Sequence, residues 1–166
     1  MAERVTFPST TGPLLAGRID VPVMLRFDNL GLGDSEGDWG DGSFSNKVSD
    51  TVQAVRFMNE TGREVDLLVG HSFGGAAVIA AANELDTVRA VVSIGAPFEP
   101  AHVEHNYDAL VDRILTEGEA PFLAGGKALV LRRHFVEDVR AVCAMSILAV
   151  RPRRRPRPRR SRGPTR

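Results

Sequence analysis

The sequence predicts an α/β fold: a mainly parallel sheet flanked by helices, incomplete, and preceded by an N-terminal β-hairpin. Three observations carry this. Leu67–Val69 is a strand-length apolar run that passes through a glycine-rich turn into the small-apolar helix pattern Ala76–Ala82. Helical and strand signals then alternate along the chain, as βαβ units require. Finally, the extended runs before residue 28 are joined by a turn rather than by a helix.

Arg4–Ser9 and Leu14–Val21 read as two strands around a turn at Thr10-Thr-Gly-Pro13. Val23–Phe27 is a third run, separated from the second by Pro22 alone. A polar, glycine-rich loop follows from Asp28 to Gly42. Its Gly31-Leu-Gly33 does not make a dinucleotide fingerprint, because Glu36 stands at the third glycine position and no helix begins there. Ser45 is the expected N-cap of a helix ending at Gly62, with Val48, Val52, Val55 and Met58 as its apolar stripe. The helix after the turn closes near Leu85, and Val88–Pro97 is the next strand. A helix is expected over Ala101–Glu117, buried through Val103, Tyr107, Leu110 and Ile114. Glu119–Leu123 and Ala128–Arg133 form a hairpin around Ala124-Gly-Gly-Lys127. A short helix at Phe135–Val142 and a strand beginning at Ser146–Val150 complete the pattern.

The chemistry centres on Gly70-His-Ser-Phe-Gly74. A serine on a sharp strand-to-helix turn, with glycines where side chains would collide, is the context of a nucleophile elbow. Ser72 is the candidate nucleophile, and the backbone N–H of Phe73 is the candidate oxyanion donor. Gly70, His71, Gly74 and Gly75 build the turn, with His71 expected to pack beneath it.

Composition narrows the alternatives. At 166 residues the chain is one domain's length, short against the roughly 200–250 residues that α/β units often reach. Nine of the 21 Lys and Arg, and none of the 21 Asp and Glu, fall in Arg151–Arg166. The rest therefore holds 12 basic against 21 acidic residues, which argues against specific nucleic-acid binding. Residues 1–150 form the expected partial domain, and 151–166 a disordered Arg/Pro-rich tail. The single Cys143 excludes an intramolecular disulfide and a cysteine-rich metal site. Met1–Phe7 lack a signal-peptide pattern and no apolar run reaches membrane-spanning length, so a cytoplasmic protein is expected. Neither cofactor nor metal is expected, and oligomeric state is not readable.

Taken together, the motifs resemble the α/β-hydrolase superfamily, and within it the serine-aminopeptidase-like bacterial hydrolases that often precede an OsmC-type domain. The matching pieces are Leu25–Gly37, Phe44–Asp50, Gly70–Ala77 and Ser93–Pro97, together with Ala101–Val103 and Glu117–Glu119. The resemblance implies a three-layer fold and a Ser–acid–His hydrolase of ester, amide or other acyl bonds, with a small-molecule acyl substrate. No OsmC-like segment is legible, and Cys143 alone does not supply the cysteine pair such a domain uses.

Two departures qualify that expectation. In the family, a strand, an oxyanion-loop motif and a helix lie where Val21-Pro-Val23 here joins two strands directly. The flanking strands must then pair with each other or leave a gap in the sheet. Losing one of two oxyanion donors costs about 10²–10³ in rate. The acid expected after Ile147–Val150 is replaced by Arg151-Pro-Arg-Arg, and no His follows His134. The Arg/Pro run has the look of a shifted reading frame, so the domain reads as internally shortened and C-terminally truncated. A serine hydrolase impaired in turnover is the leading expectation. The alternative is a non-catalytic remnant or binding protein whose basic tail holds polyanions.

The other polar residues have plainer readings. His102 and His105 lack a third metal ligand and read as solvated helix histidines, and His134 lacks an acid partner. Asp28 is expected to accept hydrogen bonds from its own loop. Asp34, Glu36, Asp38 and Asp41 lack the ordered spacing of a cation loop.

Overall fold

A computed structural model describes residues 2–20 and 23–142. The Val21-Pro22 junction, Cys143, the Ser146–Val150 strand and the Arg-rich tail lie outside the described residues.

Strands β1 (Glu3–Pro8), β2 (Leu14–Asp20) and β3 (Met24–Phe27) form an antiparallel sheet in that order. Its inner face buries Phe7, Leu15 and Ile19, and Phe7 meets the rings of Phe27 and Phe57 at 5.3 and 5.6 Å. The turn between β1 and β2 is pinned from outside the sheet. The buried carboxylate of Asp50 accepts from the Ser9 hydroxyl at 2.8 Å and from the Thr10 N–H at 3.2 Å.

Helix α1 (Phe44–Glu60) packs Ala54 and Phe57 against this sheet. Its N-cap is Ser43 rather than the expected Ser45. Ser43 has extended backbone and its Oγ accepts from the Asn46 N–H at 3.1 Å, which satisfies a first-turn donor. Ser45 sits inside the first turn and is taken up by Asp138, which accepts from its N–H and hydroxyl at 2.9 and 2.6 Å. The apolar stripe is as expected: Val52, Val55 and Met58 are buried and Val48 packs beside them.

Strand β4 (Leu67–His71) leads into helix α2 (Phe73–Ala81), and a 3₁₀ turn over Ala82–Glu84 ends it. Strand β5 (Ala90–Ile94) pairs parallel with β4, from Leu67↔Ala90 to His71↔Ile94. This is the parallel pairing among the described residues. Between β3 and β4 there is a gap, the second of the two outcomes the short junction allows, since they belong to different sheets.

The expected helix over 101–117 is broken. A 3₁₀ segment covers Pro100–Asn106, another covers Asp108–Leu110, and only α3 (Val111–Glu117) is α-helical. Side chains compete with the backbone here: Asn106 Nδ2 donates to the Val103 carbonyl, and Asp108 Oδ1 accepts from the Ala109 N–H. The stripe survives the break, with Tyr107 and Ile114 buried and Val103 and Leu110 packed against them. Strands β6 (Glu119–Ala124) and β7 (Lys127–Arg132) form the expected hairpin. Its two-residue turn, Gly125-Gly126, has φ of 57° and 78°, the left-handed pair that matches strand twist. Helix α4 (Arg133–Ala141) packs Val136 and Val139 into the core.

Among the described residues, the β4–β5 pair is covered on one face only. Leu68 points at α1 and α2 and is buried, whereas Leu67, Val69, Val92 and Ile94 alternate to the other face and stand exposed. Leu68→Ala should therefore cost about 2–5 kcal/mol in urea unfolding, while Val69→Thr should stay within about 0.5 kcal/mol. A large loss for Val69→Thr would mean that this face is covered.

Candidate functional site

Ser72 sits between β4 and α2 with φ 52° and ψ −127°. It is the one non-glycine residue with positive φ among the described residues. A backbone of that kind costs on the order of 1–3 kcal/mol and persists only where the surroundings impose it. Here they do so from both sides. The Ser72 N–H donates to the Ile94 carbonyl at 2.8 Å, extending the β4–β5 ladder by one residue. Its carbonyl accepts from Gly75 at 2.8 Å, which starts the helix. The reversal between ladder and helix falls on this residue.

Glycines make the close approach possible, though not all the expected ones. A Cβ on Gly70 would lie 2.4 Å from the Gly74 carbonyl oxygen. A Cβ on Gly75 would lie 2.8 Å from Ala96 Cβ and 3.1 Å from the Gly70 carbonyl oxygen. A Cβ on Gly74 would meet nothing within 4 Å. Steric need therefore rests on Gly70 and Gly75. Gly74 faces open space because the first turn of α2 tilts its side-chain direction away from the strand. The buried Ala76, Ala77 and Ala81 continue the close contact along α2.

Phe73, by contrast, is an anchor. Its ring packs on Phe44 at 5.1 Å and Phe135 at 5.9 Å, and Phe135 in turn meets Trp39 and Tyr107 at 6.4 and 6.0 Å. This aromatic cluster ties the turn to α1, α4 and the loop before α1. The sequence reading assigned Phe73 only a backbone role. The missed signal was an aromatic at the first position of a helix that is otherwise Gly, Ala, Val and Ile. Within the cluster, Tyr107 is buried and its hydroxyl has no partner among the described residues. Burial, the largest cause, and then the nearby Glu104 carboxylate push its pKa up to about 12.

The Ser72 side chain is exposed, and its hydroxyl hydrogen-bonds to no described residue. None of the four histidines hydrogen-bonds to it among the described residues. His71 is exposed rather than packed beneath the turn. Strand alternation explains this: Leu68 and Gly70 face the helices, so His71 shares the bare face with Leu67 and Val69. His102 and His105 stack on each other at 4.6 Å in the 3₁₀ segment. His134 is exposed on α4. No described cluster of three or more His, Cys, Asp or Glu could hold a metal ion.

The acidic loop is occupied by structural work. Asp28 Oδ2 accepts from the Asp34 N–H at 3.2 Å, as the loop reading expected. Asp38 caps Gly40 and pairs with Arg132, while Arg132 also reaches Asp41 and Glu119. The Gly40 N–H first, and then the Arg132 guanidinium, hold the Asp38 carboxyl below its ordinary range.

With this geometry in place, the comparisons are direct. The family model described as "Alpha/beta hydrolase family" matches residues 6–166, and the chain belongs to that family. The esterase domain of a Rhodothermus marinus protein is similar, at 28% identity and a TM-score of 0.61, over 91% of this chain and 73% of that domain. The α/β hydrolase GrgF of Penicillium sp. sh18 shares the fold at 16% identity and a TM-score of 0.65, over 92% of this chain and 77% of that one. Comparison with curated proteins yields no match. No described helix is long and apolar enough to cross a membrane.

Gly70→Ala should destabilise by roughly 1–3 kcal/mol or more through overpacking, whereas Gly74→Ala should stabilise by about 0.5–1 kcal/mol as an ordinary helix substitution. Thermal melts of the two variants check the pair. Equal losses would contradict the assignment of the close approach.

Proposed function

We propose that this chain is a serine hydrolase of acyl bonds, with Ser72 as nucleophile, and that its turnover is impaired. The observation that carries this reading is the positive φ at Ser72 (52°) on an exposed strand-to-helix turn. That strain aims a hydroxyl out of the sheet, and strained backbone concentrates at reacting groups. The similarity to an esterase domain favours ester substrates within the acyl class.

In the reaction, Ser72 Oγ attacks the carbonyl carbon and its proton must leave. The acyl-enzyme then forms as the leaving group departs, and water releases the acid. The Phe73 N–H opens α2 and donates to no backbone carbonyl among the described residues. It is free to receive the oxyanion of the tetrahedral intermediate. Gly70 and Gly75 allow the close approach at the turn, and the exposed His71 makes no hydrogen bond to the Ser72 hydroxyl among the described residues.

Impairment follows from proton handling. No imidazole or carboxylate among the described residues bonds the Ser72 hydroxyl, and without a base a serine is a weak nucleophile near neutral pH. A lone oxyanion donor loses about a further 10²–10³.

Purified protein should hydrolyse p-nitrophenyl acetate only slightly above background, and label slowly with a fluorophosphonate. Ser72→Ala should remove both residual signals. Fast, Ser72-dependent turnover would overturn the impairment, and labelling unchanged in Ser72→Ala would overturn the nucleophile. The second reading, a non-catalytic polyanion binder, rests on the nine arginines of Arg151–Arg166. It requires salt-sensitive retention on heparin that is lost when those residues are deleted.

A further inference from the structure

The outer face of the N-terminal sheet carries a row of three arginines. Strand pairing sets Arg4 opposite Arg18, and Arg18 opposite Arg26. Directly opposed cross-strand residues have their Cβ atoms about 4.5–5.5 Å apart, and like charges there are destabilising. The rest of the chain makes this more pointed. Outside Arg151–Arg166 it has 12 basic and 21 acidic residues, yet three of the twelve stand side by side.

Only one of the three is neutralised. Arg26 forks onto Asp20 with Nε at 3.0 Å and Nη2 at 2.5 Å. Arg4 and Arg18 have no ion-pair or hydrogen-bond partner among the described residues, and both are exposed. All three line one open depression of about 650 Å³, which Asp28 and Asp34 also line. Thr6 and Ala16, the next row of the same face, are small and leave room beside the guanidinium groups.

We propose that this depression binds an oxyanion, a phosphate or a carboxylate, through Arg4 and Arg18. An arginine presents a planar fork of N–H donors that matches two oxygens of either group. Two forks from adjacent strands can grip one anion from both sides, and the anion removes the repulsion within the row. Arg26, held by Asp20, flanks the site and adds positive potential without giving up its own partner. The face belongs to the β1–β3 sheet, whereas Ser72 belongs to β4 and α2, so the proposal stands independently of the hydrolase reading.

Melting temperature of the full chain is the readout, because an anion bound to the folded sheet stabilises it by mass action. Inorganic phosphate and succinate are each compared with sodium chloride at equal ionic strength. Either anion should raise the melting temperature by several degrees, and the better one identifies the group preferred. The gain should vanish in the double variant Arg4→Gln/Arg18→Gln and persist in Arg89→Gln, which removes an exposed arginine elsewhere. Without added anion at low salt, Arg18→Gln should melt at or above the wild-type temperature, since repulsion is relieved. No gain with either anion, a gain that survives the double variant, or a lowered melting temperature for Arg18→Gln at low salt would each overturn the proposal.

Discussion

The closeness of α2 to β4 is the constraint on which the candidate site depends. A Cβ on Gly70 would run into the Gly74 backbone, and one on Gly75 into the Ala96 side chain. The chain must then reverse within one residue, and Ser72 takes the strained conformation that results. Two anchors hold it there: the hydrogen bond to the Ile94 carbonyl and the packing of Phe73 into the aromatic cluster. The strain is thus set by packing, and it persists whether or not a base is present.

The strands beside the turn are left bare on one face among the described residues. A parallel sheet normally has both faces covered, but among the described residues β4 and β5 have helices on one face only. Leu67, Val69, Val92 and Ile94 occupy the other face, and His71 shares it. Strands β3 and β4 belong to different sheets. The turn is held by its own supporting helices, and under the proposed function proton transfer and a second oxyanion donor would have to come from segments outside it.

Much of the fold was legible in the sequence because local signals agreed with packing. The β4–α2 turn, the Gly125-Gly126 hairpin and the α1 stripe each had period, turn chemistry and length pointing the same way. The failures have local causes. Ser45 was expected as the cap, but it is drawn into the first turn by its bond to Asp138, and Ser43, with extended backbone, accepts from the Asn46 N–H instead. The 101–117 helix broke where Asn106 and Asp108 bind nearby backbone groups, a competition that an intact apolar stripe conceals. His71 was misplaced because its orientation follows from strand parity against a partner layer that β4 lacks. The arginine row was unreadable for a related reason: Arg4, Arg18 and Arg26 become neighbours only through register.

The most direct test is the pH dependence of Ser72 acylation by a fluorophosphonate between pH 6 and 9. A hydroxyl without a general base reacts through its small ionised fraction, so the rate should rise steadily, about tenfold per pH unit, with no plateau. A plateau above neutrality, set by a group titrating near the imidazole range of about 6.5, would reveal a base acting on Ser72 and contradict the claim that the turn stands alone.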